Sequence, residues 1–299
     1  EPFMHPNLME LVRQVKRLDL ICAITTNFTL VTEDRARELA ELGLDEFTVS
    51  LWAASPETYS RTHPNKTEGS FKRIAKVLSL YNSLKPKGAQ TILAEVIFAM
   101  NWHEIELMLD FALDTGCDGI YFTVIDSVSP RTDGLLLTED QAKKALELAY
   151  RVKERVDALP KERGFILDNF HGFVRRLKSE GVTTGDYDRN AVDKIPCYVG
   201  WMFIRVLPNG DISPCCRGVR KPMGNLLKQS FEEIWNSERY MEFREKALKL
   251  PKSDPYFAPI GCHRTCDNLM HNEMMHERIR SLSEDEIESL RREIVNKAG

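Results

Sequence analysis

Along the first 160 residues, apolar positions switch between two periods. Short apolar runs of strand length are separated by longer stretches in which apolar residues return at helical spacing. Leu18–Thr26 is an apolar run that ends in Thr25-Thr26-Asn27. Thr32-Glu33-Asp34 reads as a helix start, with acids where the helix dipole favours them, and that helix stops at Gly43. Asp45–Leu51, rich in Phe, Thr and Val, predicts a strand. Gly69–Leu84 places Phe71, Ile74, Ala75, Val77 and Leu78 at helical spacing. Gln90–Ala99 predicts a buried strand, Trp102–Thr115 a helix closed by Gly116, Ile120–Ile125 a strand and Glu139–Leu159 a helix.

Strands alternating with long helices imply parallel crossovers. The chain begins with Glu1 and has no strand ahead of its first helix-spaced stretch, so the pattern predicts an α/β fold: a partial (β/α) TIM-type barrel, N-terminally truncated, lacking its first strands. A flavodoxin-like or Rossmann sheet is the alternative, weakened because no G-x-G-x-x-G follows any strand. In a barrel, chemistry gathers at the C-terminal strand ends. Those ends carry Thr25, Thr26, Asn27, Ser50 and Asn101, with Thr123 inside the last strand; Glu1-Pro2 would close a strand before them. Loop capping is the plain alternative for each, because Asn, Ser and Thr satisfy backbone groups at turns.

The last third follows a different pattern. Trp201–Leu207 predicts a strand, Asn209-Gly210 a hairpin turn, and Asp211–Pro214 a return strand that delivers Cys215 and Cys216. Ser230-Phe231-Glu232-Glu233 opens a helix. Five of the seven cysteines fall here: Cys197, Cys215, Cys216, Cys262 and Cys266. No signal peptide suggests an oxidising compartment, so disulfides are the weaker explanation and thiolate ligands the stronger. Cys197, Cys215, Cys262 and Cys266 form the candidate set, with Cys216 as the alternative to Cys215. A structural zinc competes, although zinc ribbons usually pair ligands as C-x₂-C twice; buried free thiols are the plainest reading. Cys22 and Cys117 read as packing residues, and His263 as a neighbour of the ligands. The expected boundaries are a barrel over 1–165, a linker over 166–193 centred on 181–190, a small Cys-rich α+β domain over 194–272, and a helical tail over 273–299 with a capping box at Ser283 and Glu286.

Composition narrows the function classes. The hydrophobic fraction of 42% and charged fraction of 29% are ordinary for a globular protein. A net charge of −4 without a basic stripe argues against nucleic-acid partners. No apolar run reaches the roughly 18–20 residues of a membrane span, so no membrane role is expected and the cytoplasm is the expected location.

Together these residues resemble the radical S-adenosylmethionine enzymes that carry a C-terminal SPASM or twitch domain. Glu1-Pro2 is similar to the end of that family's Gly-Gly-Glu-Pro segment. Thr25-Thr26-Asn27 and Val49-Ser50-Leu51 resemble its third- and fourth-strand motifs, and Asn101 an Asn that follows its fifth strand. Asn209-Gly210-Asp211-x-x-Pro214-Cys215-Cys216 and Gly224-Asn225-Leu226 resemble the SPASM hairpin region. The resemblance implies that Glu1, Thr26, Asn27, Ser50 and Asn101 contact S-adenosylmethionine. It implies that Cys197, Cys215, Cys262 and Cys266 hold an auxiliary [4Fe–4S] cluster. It further implies a 5′-deoxyadenosyl radical that abstracts hydrogen from a peptide or small-metabolite substrate, with electrons from a flavodoxin or ferredoxin. The family's Cys-x₃-Cys-x₂-Cys loop, which binds a second [4Fe–4S] cluster, does not occur in these 299 residues. The chain as given is therefore expected to be inactive. A non-catalytic scaffold stabilised by zinc or a cluster is the alternative function.

Overall fold

The strand–helix alternation becomes a five-stranded parallel sheet whose spatial order follows the chain. The computed structural model describes residues 1–252, 254–262 and 264–289, so His263 lies outside the described residues. The strands are β1 (Ala23–Thr26), β2 (Glu46–Ser50), β3 (Gln90–Ile97), β4 (Gly119–Val124) and β5 (Ile166–Asp168). A doubly wound sheet reverses its strand order part-way. This sheet does not reverse, and it forms a sector of a barrel. The helices of this part are α1 (Leu8–Arg17), α2 (Glu33–Glu41), α3 (Pro56–Thr62), α4 (Glu68–Leu84), α5 (Ile105–Asp114), α6 (Glu139–Asp157) and α7 (Phe170–Leu177). Thr67 caps α4 with its side chain on the Ser70 N–H, which starts that helix earlier than the apolar spacing predicts.

The chain divides into two units, Glu1–Gly185 and Asp186–Gly299. In the first, the two-residue pleat decides what each strand residue does. On β2, Phe47 and Val49 are fully buried, while Glu46, Thr48 and Ser50 share the other face. Phe47 meets Phe28 at 5.2 Å and Tyr81 at 5.0 Å between ring centroids, a core that clamps β1, β2 and α4 together.

The expected linker over 166–193 is not one. Its first part is β5, paired with β4 through Tyr121 and Asp168, followed by α7. Three residues are too few to register as an apolar run, so β5 left no signal. The last part of that stretch belongs to the second unit, where Tyr187, Asp188 and Val192 are buried.

The second unit contains α8 (Val199–Met202), β6 (Arg205–Val206), β7 (Asp211–Ser213), β8 (Gly224–Asn225), α9 (Phe231–Trp235), α10 (Glu238–Leu248) and α11 (Leu269–Arg280). The strand expected over Trp201–Leu207 is therefore half helix. Arg244, buried on α10, donates to Gly200 O at 3.0 Å and lies over the Trp235 and Tyr240 rings at 4.1 and 4.4 Å. That contact holds the Val199–Met202 turn against the local strand preference. β6 and β7 form the expected hairpin, with Gly210 at φ +84° closing its turn. The boundary expected at 273 falls inside α11. The Ser283–Glu286 box does cap a helix over 284–289, and the rest of the tail lies outside the described residues. Among the described residues no helix is long and apolar enough to cross a membrane.

Glu95 on β3 is fully buried on the face it shares with Leu93 and Ile97. Burial holds its carboxyl well above the usual carboxylate range. The Trp52 and Ala53 backbone amides pull it down, and Glu104 pushes it up, yet neither oxygen meets a donor in hydrogen-bond geometry. Folded Glu95 therefore holds its proton to higher pH than the unfolded chain does, so its contribution to stability falls as pH rises. Glu95→Gln should lose less melting temperature than the parent between pH 5 and pH 8. Parallel pH profiles for the two proteins would sink this expectation.

Candidate functional site

Cys197, Cys215, Cys216, Cys262 and Cys266 line one small cavity of the second unit, walled by Val199, Phe257 and Ile260. Each ligand candidate is placed by a local contact. Cys197 N–H donates to Ala247 O at 2.8 Å, tying it to the end of α10. The hairpin turn carries the chain back along β7 to Cys215, whose carbonyl accepts from Ser213 Oγ at 2.7 Å. Cys266 N–H donates to the buried Asp188 carboxylate at 2.8 Å. Arg217 Nη1 donates to Thr265 Oγ1 at 2.5 Å, which joins the Cys215 loop to the Cys262–Cys266 loop.

Burial raises the pKa of all these thiols: Cys197 upward, Cys215 to about 11, Cys262 to about 12 and Cys266 still further. The next causes show who neighbours whom. Cys215 and Cys197 push Cys262 up, and Cys197 and Cys262 push Cys266 up. For Cys216, after burial, Asp267 raises and Arg205 lowers. Cys197 and Cys216 push Cys215 up in turn, so Cys216 adjoins the group through Cys215. Four half-buried thiols that resist ionisation need a cation before they become thiolates. No three His, Cys, Asp or Glu among the described residues are gathered closely enough for one metal ion. Around a single zinc, four sulfurs would stand about 3.8 Å apart; a polynuclear cluster accepts a wider set.

Lys252 also lines the cavity. It is only 7% exposed, and its ammonium donates to Ile195 O at 2.6 Å and to Val192 O. Burial lowers its pKa, while Cys197, Asp193, Cys262 and Cys266 raise it. Cys22 and Cys117 are buried elsewhere, as packing residues.

In the first unit, the expected strand-end residues divide into two groups. Glu1 accepts from Thr26 Oγ1 at 2.8 Å, Asn27 N–H at 2.9 Å and Phe3 N–H at 3.1 Å. Ser50 lines an open cavity of about 570 Å³ with Thr25, Thr48, Trp52, Tyr121 and Asp168. Thr26 does not line it. It is 2% exposed, on the opposite face of β1 from Thr25, and its hydroxyl accepts from Phe28 N–H at 2.9 Å. The run Leu18–Thr26 has no alternation, so the sequence left the face of β1 undetermined. Asn27 turns its amide oxygen onto Thr29 N–H and Oγ1 at 3.0 and 2.7 Å. Asn101 is fully buried. It accepts from Phe98 N–H at 2.8 Å and donates to Val96 O at 2.8 Å and Trp52 O at 3.0 Å. That last bond holds Trp52 at φ +61°. Asn101 therefore caps the mouth, as loop capping would have it, and its amide makes its bonds to the backbone. Asp168 was missed because β5 was missed, and Tyr121, on the expected strand β4, carries no motif that marks it as a site residue. Asp188, Lys252 and Asn272, which surround the thiols, carry no motif that sequence reasoning could use.

Comparison with known proteins gives two family matches. The radical SAM superfamily model matches residues 1–112, and the SPASM iron–sulfur cluster-binding domain matches residues 197–267. The tungsten-containing aldehyde ferredoxin oxidoreductase cofactor-modifying protein of Pyrococcus furiosus is 25% identical over 263 residues, covering 82% of this chain and 67% of that protein. The antilisterial bacteriocin subtilosin biosynthesis protein AlbA of Bacillus subtilis is 24% identical over 240 residues, covering 79% of this chain and 47% of AlbA. Streptococcus suis SuiB superposes with a TM-score of 0.58 at 17% identity, over 82% of this chain and 56% of SuiB. The chain thus spans about half the length of AlbA and SuiB. With a partial barrel matched at one end and a cysteine-lined unit matched at the other, the chain belongs to the radical S-adenosylmethionine superfamily and carries a SPASM iron–sulfur domain.

Proposed function

We propose that this protein is an oxidoreductase or maturase that holds S-adenosylmethionine at its barrel mouth and an auxiliary [4Fe–4S] cluster in its thiol cavity. The observation that carries this reading is the convergence of Cys197, Cys215, Cys262 and Cys266 from three separate segments onto one cavity. Those four would hold the cluster, with Cys216 as the substitute for Cys215. When bound, the cluster supplies one-electron chemistry at a site the protein itself leaves redox-silent. At the mouth, Glu1 remains exposed beyond its contacts with Thr26 and Asn27 and would accept from an ammonium group. Ser50 and Thr25 would offer hydroxyls to a carboxylate or ribose. Thr26, Asn27 and Asn101 would hold these groups in place.

A peptide is the favoured substrate class. SuiB has been solved with its precursor peptide SuiA, at a TM-score of 0.56 and 16% identity, and AlbA is named for bacteriocin biosynthesis. A small cofactor-like metabolite is the second class, after the P. furiosus relative. Electrons would come from a flavodoxin or ferredoxin in a reducing cytoplasm.

The test is 5′-deoxyadenosine formation with dithionite. The 299-residue chain, which has no Cys-x₃-Cys-x₂-Cys loop, should form none. The same chain with such a loop grafted ahead of Glu1, and both clusters confirmed by iron content, should form it. Product from the ungrafted chain would overturn the dependence on that loop. No product from the grafted and doubly loaded chain would overturn the enzymatic reading.

A further inference from the structure

Asn272 on α11 is 3% exposed and lines the thiol cavity. Its amide Nδ2 lies 3.7 Å from Cys197 Sγ. Two backbone groups fix which way that amide points. Tyr198 N–H can only donate, and it meets Asn272 Oδ1 at 2.7 Å. Asn268 C=O can only accept, and it meets Nδ2 at 3.0 Å. Both assignments turn the NH₂ group toward the sulfur. The helix that presents it is pinned by the same segment: Tyr198 OH lies 2.8 Å from His276 Nδ1, and the two rings stack.

We infer that Asn272 sets the reduction potential of the cluster through an N–H···S hydrogen bond to Cys197; this rests on the cluster reading above. Adding an electron to a thiolate-ligated cluster increases the negative charge on its sulfurs. A donor aimed at one sulfur stabilises that reduced form and raises the potential. The donor is buried, so water does not screen or replace it. Asn272 is a positioning and tuning residue, not a ligand: its amide makes no bond to the metal, and its oxygen is occupied by Tyr198.

The experiment is a redox titration of the reconstituted full chain, followed by electron paramagnetic resonance, with iron and sulfide measured on the same samples. Asn272→Asp keeps an oxygen for Tyr198 N–H but removes the N–H donor and adds a negative charge. It should shift the one-electron reduction at least tenfold toward the oxidised cluster, about 59 mV, at unchanged iron content. Asn272→Ala removes the donor without adding charge and should shift it in the same direction by less. An unchanged potential in both variants, with the cluster intact, overturns the inference. Loss of iron in both overturns it as well, and makes Asn272 a structural support of the cavity. Absence of iron and labile sulfide in the reconstituted parent overturns the cluster reading itself, and the inference with it.

Discussion

Cys266→Ala should take the reconstituted chain from about four irons and four sulfides to less than one of each. Cys266 has the most strongly raised pKa of the candidate ligands, and its backbone N–H is held by Asp188. Cys262→Ala should behave alike. A structural thiolate metal site is worth on the order of 10 kcal/mol to the region that holds it, so both variants should lose hydrogen-exchange protection across 186–289 before the parallel sheet does. The second unit has its own apolar core around Tyr240, Phe243 and Ile234, and α10 should therefore retain partial protection. Cys22→Ala and Cys216→Ala should keep their iron. If Cys216→Ala strips the cluster and Cys215→Ala does not, the two ligands must be exchanged. Stoichiometric zinc without labile sulfide would replace the cluster by a single ion.

Asn101→Ala should destabilise the first unit by about 2–3 kcal/mol, because it leaves a buried N–H and two partly buried carbonyls without their partner. The effect follows from burial and three hydrogen bonds at 2.8–3.0 Å. Loss should concentrate where Asn101 ties the end of β3 to the loop after β2. Hydrogen exchange should rise at Phe98 and around Trp52, and denaturant melts of the sheet should shift to lower concentration. Weakened S-adenosylmethionine binding with unchanged exchange at both loops would place Asn101 back at the ligand.

The parallel crossovers were legible because their signals are long. Sixteen-residue helical spacing and β-rich runs such as Asp45–Leu51 leave little ambiguity about element type. The cysteine set was legible because thiolate chemistry has few residue types to draw on. What stayed hidden depends on geometry finer than a pattern. Thr25 and Thr26 differ by one step of pleat, and only the cover supplied by Phe28 and Phe47 decides which one turns inward. β5 exists because β4 needed a partner, not because Ile166-Leu167-Asp168 demands to be a strand. The half-helix at Val199–Met202 is imposed by Arg244, forty residues away. Asp188, Lys252 and Asn272 act on the thiols through contacts that no local spacing announces.

The order of the four proposed ligands along the chain constrains when the second unit can be completed. Cys197 leaves the ribosome first and Cys266 last, with the hairpin, α9 and α10 made in between. For that interval the earlier thiols wait with an incomplete ligand set. Premature capture of iron by two or three of them would leave a labile, oxygen-sensitive partial site. The buried Asp188, made ahead of every ligand, offers its carboxylate to the last one to arrive, so loop closure at Cys266 serves as the final latch of assembly. A complete set for the proposed cluster is then available only once Cys266 has been made, and a stalled or C-terminally clipped chain would present three of the four thiols at most.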